Sequence, residues 1–133
     1  MKKYTITCSE EQLKLIAEAV EDWHRFLGGD CQLFYATCYI KDAADTLAAR
    51  GLLRQAHKYV TPDIPHGSSY DWAGSHCPND EQRKAIAMSY GIYRQILHHF
   101  ALQHPENTWN TYLSPTLTCP EQGGLIEIKE INE

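Results

Sequence analysis

Hydrophobic and polar positions along the chain predict three helices and two short strands. Tyr4-Thr5-Ile6-Thr7 alternates and is β-branched, which predicts a strand. Ser9-Glu10-Glu11-Gln12 then forms a capping box, and Leu13, Ile16, Val20, Trp23 and Leu27 follow at helical spacing. The first helix therefore runs from about Ser9 to Leu27, and Gly28-Gly29 supplies the positive φ that ends it. Asp30 is the expected cap of a second helix, with Phe34, Ile40, Ala44, Leu47 and Ala48 facing inward and a stop or bend near Gly51. Asn79 is the expected cap of a third, with Asp80 and Glu81 suited to its positive first turn. There Ala85, Met88, Ile92, Ile96 and His99 form one apolar line, flanked by Ile86, Tyr93, Leu97 and Phe100. This third helix is expected to end before Pro105. After Gly123-Gly124, Leu125-Ile126-Glu127-Ile128-Lys129 alternates as a terminal strand.

The expected fold class is α+β: three helices packed on a small antiparallel sheet that pairs the N- and C-terminal strands, as one domain over residues 1–133. A sheet this small is marginal without helices or another chain against it. The broad apolar stripe of the third helix also exceeds what two helices cover, so a homo-oligomer is expected. Between Val60 and Pro78 the periodicity vanishes, leaving an unusually long loop with Gly67, Ser68, Ser69, Tyr70, Asp71, Trp72 and Gly74.

Composition narrows the function classes. Of 133 residues, 43% are hydrophobic and 22% charged, as in ordinary folded proteins. Twelve Lys and Arg against 17 Asp and Glu give a net charge of −5, which argues against binding long nucleic acids. A small anion needs only a few focused cations. No apolar run reaches the ~20 residues of a membrane span, and Lys2-Lys3 is not followed by an apolar signal segment. A cytoplasmic location and no membrane partner are expected, with five unpaired cysteines as small apolar groups or idle thiols.

Seven histidines lack zinc-site spacing, so surface or hydrogen-bonded core roles are the more economical reading, and no metal or cofactor is expected. Cys77 beside His76 is a weak candidate for thiol catalysis, because adjacent side chains rarely reach attack geometry. Glu10-Glu11 and Glu21-Asp22 are read as solvated surface acids. The richest constellation is the loop and the helix start after it. Tyr70 and Trp72 have faces for stacking a base, worth about 1–3 kcal/mol each. Free amides behind Asn79 suit a phosphate, and Arg83 adds a bidentate donor. Loop anchoring competes with stacking for both aromatics. Arg25, Arg50, Arg54 and Arg94 are further candidates, each with an exposed salt bridge as the simpler role, and Thr116-Leu117-Thr118 places hydroxyls on one side of an expected strand.

The segment Tyr4 to Gly29, Ser69-Tyr70-Asp71-Trp72-Ala73-Gly74, Cys77-Pro78-Asn79 through Ala87, and Ser114-Pro115-Thr116-Leu117-Thr118 together resemble small proteins of phages and prophages of gut Bacteroidetes. In size and β-α start the chain is similar to the Thoeris anti-defence sponges. That resemblance implies a non-enzymatic oligomer, dimers assembling to hexamers, that sequesters cyclic ADP-ribose isomers and, in some members, cyclic oligonucleotides. It further implies phosphate contacts from Arg25 and from Arg50 or Arg54, stacking by loop aromatics, and hydroxyl contacts from Thr116 or Thr118. The expected function is thus capture of a nucleotide-derived immune signal in the host cytoplasm. The alternatives are a module docking on a host protein through the aromatic 66–78 loop and, third, a thiol- or metal-dependent enzyme.

Overall fold

The computed structural model describes residues 1–30, 32–62 and 71–132. Helix α1 spans Glu10–Leu27, α2 Phe34–Thr37, α3 Ala43–Val60 and α4 Asp80–Ala101, followed by single 3₁₀ turns at Thr111–Leu113 and Pro120–Gln122. The described residues contain no strand, so the fold is all-helical and not the expected α+β fold of three helices on a small antiparallel sheet of the N- and C-terminal strands. Tyr4–Thr7 and Leu125–Lys129 keep their alternating pattern but have no neighbouring edge to pair with, and alternation alone does not make a strand. Thr116-Leu117-Thr118 is irregular as well. No described helix is long and apolar enough to cross a membrane.

Local chemistry sets the helix ends largely as expected. The Ser9 hydroxyl accepts from the Gln12 amide at 3.1 Å, and the Gln12 side chain accepts from the Ser9 amide at 2.8 Å. At the other end of α1 the positive φ belongs to Gly29, at 102°, while Gly28 keeps an ordinary backbone. Asn79 caps α4 by accepting from the Gln82 amide at 3.0 Å. The second expected helix is instead two. Asp42, not Asp30, caps α3 through the amides of Ala44 and Asp45. Gly51 does not stop α3, which continues to Val60. Phe34 and Leu47, expected inside, are exposed.

Helices α1 and α4 pack antiparallel and form the body of the molecule. The C-terminal end of α1 meets the start of α4, where Gln82 Nε2 donates to the Leu27 carbonyl at 3.2 Å. Toward the other end, the Lys14 ammonium lies 5.2 Å from the centre of the Phe100 ring. The face α1 turns inward carries Ala17, Glu21, Asp22, His24, Phe26 and Leu27, while Ile16 and Trp23 of the expected stripe stay exposed. On α4 the buried line is Ile86, Ser89, Tyr90, Tyr93 and Ile96, and Met88 lies outside it. Small polar groups thus replace part of the anticipated apolar stripe at the seam.

His24 is the centre of that replacement. Its Nδ1 lies 2.8 Å from the Ile86 carbonyl, which can only accept, so Nδ1 carries the proton; Ser89 Oγ is 3.1 Å away. The ring also packs against Tyr90 and Tyr93. At the C-terminal end of α3, His57 Nε2 donates to the Phe26 carbonyl at 3.1 Å, and its ring meets the Phe26 ring edge-on. Ahead of α4, Trp72 packs on Tyr90 with ring centres 4.6 Å apart and planes tilted by 34°. Gly74 sits at φ +64°, where a Cβ would come within 2.9 Å of the Ile86 side chain, so both backbone and space require glycine.

Burial lowers the His24 pKa from 6.5 to about 4, against the raising effect of the Ile86 hydrogen bond and with a smaller lowering effect from Arg25. The unfolded chain therefore binds a proton that the folded chain refuses between those values, and the associated stability is complete above pH 6.5 and lost on acidification toward 4. The loss amounts to about 3 kcal/mol. Urea unfolding near neutrality and near pH 4 is expected to show this drop, and a His24→Leu variant is expected to show a smaller one.

Candidate functional site

The C-terminal half of α1 places Glu21 and Arg25 one turn apart, where Arg25 Nε donates to Glu21 Oε2 at 2.9 Å. Arg25 also approaches Asp30 at 3.8 Å and leaves 44% of its side chain exposed, whereas the Glu21 side chain is 5% exposed. Asp22, next in sequence, accepts from the Tyr35 and Ala36 amides at 3.0 and 2.8 Å and so holds the first turn of α2 against α1. That anchoring brings the Tyr35 hydroxyl to Glu21 Oε1 at 3.3 Å. Neither acid is a solvated surface group, as their neighbours in sequence had suggested; both are buried hydrogen-bond acceptors.

The segment after α4 closes the cluster from the other side. Asn110 caps the Thr111–Leu113 turn by accepting from the Tyr112 amide at 2.9 Å, and His98 Nδ1 donates to the Tyr112 carbonyl at 2.7 Å. The Tyr112 hydroxyl thereby reaches Glu21 Oε1 at 3.4 Å. Arg94 of α4 lies over the Tyr112 ring, 4.5 Å from its centre, and donates to the Thr111 carbonyl at 2.8 Å. Tyr93 is buried between these groups and feels the charges of both Glu21 and Arg25. The result is one carboxylate ringed by three phenols, with two guanidinium groups around it.

Electrostatics fix the protonation of this ring. Burial, reinforced by the Glu21 charge, pushes Tyr35 up to about 12 and raises Tyr93 and Tyr112 as well. All three phenols are therefore neutral donors at physiological pH. Glu21 has its oxygens occupied by Arg25, Tyr35 and Tyr112. Arg94 differs from Arg25 in having no carboxylate within salt-bridge distance among the described residues, and its Nε is buried without a hydrogen-bond partner. Chemically the cluster combines half-exposed tyrosine rings and the Arg94 guanidinium with phenolic O–H groups of Tyr35 and Tyr112 already committed to Glu21.

The residues expected from sequence are not gathered in one place. Arg25 lies in the cluster. Arg50 is half-buried in α3 and donates weakly to the Thr37 hydroxyl at 3.5 Å, with its Nε buried and unpartnered. Arg54 is exposed on α3. Tyr70 lies outside the described residues. Trp72 is packed on Tyr90 and anchors the loop rather than presenting a free face. Asn79 is occupied as the α4 cap. Arg83 is taken up by structure: its Nε donates to both Glu121 oxygens at 3.0 and 3.1 Å, Nη1 to the Cys77 carbonyl at 3.0 Å and Nη2 to Asp80 at 2.7 Å. Thr116 is buried and donates to Gln95 at 2.8 Å, and Thr118 is exposed. Cys77 is 2% exposed and its thiol points at the Asn79 carbonyl, 3.7 Å away. Among the described residues no three His, Cys, Asp or Glu are placed to hold a metal ion.

Sequence reasoning named Arg25 and Arg94 but missed their surroundings: Glu21, Tyr35, Tyr93 and Tyr112. The available signal was the i, i+4 spacing of Glu21 and Arg25 together with Tyr93-Arg94 on the broad α4 stripe. No family model, curated protein or solved structure matches the chain.

Replacing Glu21 by Gln removes the negative charge that opposes phenolate formation. Ultraviolet titration of the tyrosines is expected to show Tyr35 ionising below its present value of about 12, yet above 10 because burial persists. An unchanged titration would remove Glu21 from the centre of the ring.

Proposed function

We propose that the chain is a non-enzymatic, phage-type anti-defence protein that binds and sequesters a small cyclic nucleotide-type immune signal, with cyclic ADP-ribose isomers first and cyclic oligonucleotides second. The observation that supports this most directly is Arg94, a cation lying on the face of Tyr112 with no acidic partner among the described residues, next to the Glu21–Arg25 pair. Its seat on the Tyr112 ring and its bond to the Thr111 carbonyl hold the guanidinium in place, which suits a phosphate. With net charge −5, such a focus of cations selects a small anion over a polynucleotide.

Neutral phenols and a carboxylate already satisfied by its neighbours favour holding a ligand over transforming it. The reading of Cys77 as a nucleophile is disfavoured by its burial. Docking on a host protein through residues 66–78 loses one of its two aromatic anchors, since Trp72 is engaged by Tyr90.

Incubation with a panel of cyclic ADP-ribose isomers and cyclic oligonucleotides, then heat release and chromatography, tests the proposal. Intact ligand is expected in the released fraction; a converted product points to an enzyme, and an empty fraction for the whole panel counts against capture. Arg94→Ala is expected to weaken capture by roughly ten- to a hundredfold, the loss of one charged hydrogen bond. Trp72→Ala is expected instead to lower stability, on the order of 2 kcal/mol, while leaving affinity in the folded fraction unchanged. Calorimetric titration and thermal unfolding separate the two effects.

A further inference from the structure

The aromatic rings around the Glu21 cluster are largely engaged. Tyr93 is buried, Arg94 lies over the Tyr112 ring, and Trp72 packs on Tyr90. Trp109 is different. It is 78% exposed, although tryptophan is among the largest apolar side chains. The backbone that carries it is nevertheless tied down. The Asn107 amide donates to the His104 carbonyl at 3.1 Å, the Asn110 amide to the Asn107 carbonyl at 3.0 Å, and the Leu113 amide to the Asn110 carbonyl at 3.2 Å. Residues 104–113 therefore run as consecutive turns, and the Asn110 side chain closes the last of them on the Tyr112 amide. A ring presented on a fixed segment loses little freedom when a ligand packs on it.

Trp109 also belongs to the segment that Arg94 holds. Its Cα is at most about 7 Å from that of Thr111. The Thr111 carbonyl accepts from Arg94 Nη2 at 2.8 Å. From Asn107 to Pro120 the sequence carries no charged residue, so this segment brings no acid of its own against an incoming anion. A flat apolar face and a held guanidinium thus share one stretch of the surface.

We propose that Trp109 is the stacking face for the base of a nucleotide whose phosphate Arg94 holds. This rests on the capture reading above and adds the second part of the ligand that the site recognises. Every base has a π face, so stacking on an indole accepts any base and requires only that one be present. The site therefore separates a nucleotide from a sugar phosphate, and not one base from another.

Calorimetric and fluorescence titrations of the full chain with cyclic ADP-ribose isomers and cyclic oligonucleotides test the assignment. For a panel member captured by the native chain, Trp109→Ala is expected to weaken binding by roughly five- to a hundredfold. Trp109→Phe keeps a stacking face and is expected to retain affinity to within about threefold. Neither variant is expected to change the melting temperature, because the ring buries little area. Ribose 5-phosphate, which has no base, is expected to bind the native chain and Trp109→Ala alike. Binding is expected to quench native tryptophan emission, and to quench it far less in Trp109→Phe. Equal nucleotide affinity of the native chain and Trp109→Ala overturns the role of Trp109 and leaves capture standing. A loss shared by Trp109→Phe, or accompanied by a lower melting temperature, makes the ring structural and overturns the role as well. Binding of no panel member overturns capture and the stacking role together.

Discussion

His24 occupies the α1–α4 seam as an uncharged donor, with its Nδ1 proton committed to the Ile86 carbonyl beside the Ser89 hydroxyl. A carbonyl in the middle of a helix already accepts from within that helix, so a second bond from another helix fixes the two in register as well as in distance. Apolar contacts are non-directional and would tolerate sliding. Around this point are stacked Tyr90, Tyr93 and, through Tyr90, Trp72. The register of α1 on α4 in turn determines where Glu21 meets Tyr112, a contact between residues 91 positions apart.

The Glu21 cluster follows from that register. A buried carboxylate is costly unless its oxygens are hydrogen-bonded, and three donors from α1, α2 and the segment after α4 meet this demand. The same carboxylate neutralises Arg25 in large part, which leaves Arg94 as the less compensated cation. Attraction for an anion is therefore offset from the geometric centre of the cluster and lies toward Tyr112. Other acids of this acidic chain are engaged elsewhere, Asp42 on the α3 cap and Asp80 and Glu121 on Arg83.

Helix ends were legible in the sequence because they depend on neighbours three residues away. Ser9 with Gln12 and Asn79 with Gln82 behave in the fold as their spacing indicates. The buried faces were less legible, since His24 and Glu21 look polar until their partners, 62 and 91 positions distant, are known. Ile16 and Trp23 keep the periodicity of a core stripe yet remain exposed on a single chain. The strands failed for a related reason: alternation at Tyr4–Thr7 is local, but a sheet needs a second edge, and none is present among the described residues. Arg83 illustrates the same limit at the site, because its carboxylate partner Glu121 lies 38 positions away and absorbs the charge that seemed available for phosphate.

Among the described residues, helix α3 is fastened chiefly at one end. His57 and Thr61 tie its C-terminus to the Phe26 carbonyl, and Arg50 adds a weak bond to Thr37, while Leu47, Leu52, Tyr59 and Val60 face outward. A helix so attached opens without disturbing α1 and α4. In the time domain of amide exchange the molecule is thus two bodies: a slow pair of helices and a faster arm. The last amides of that arm to exchange are those nearest His57.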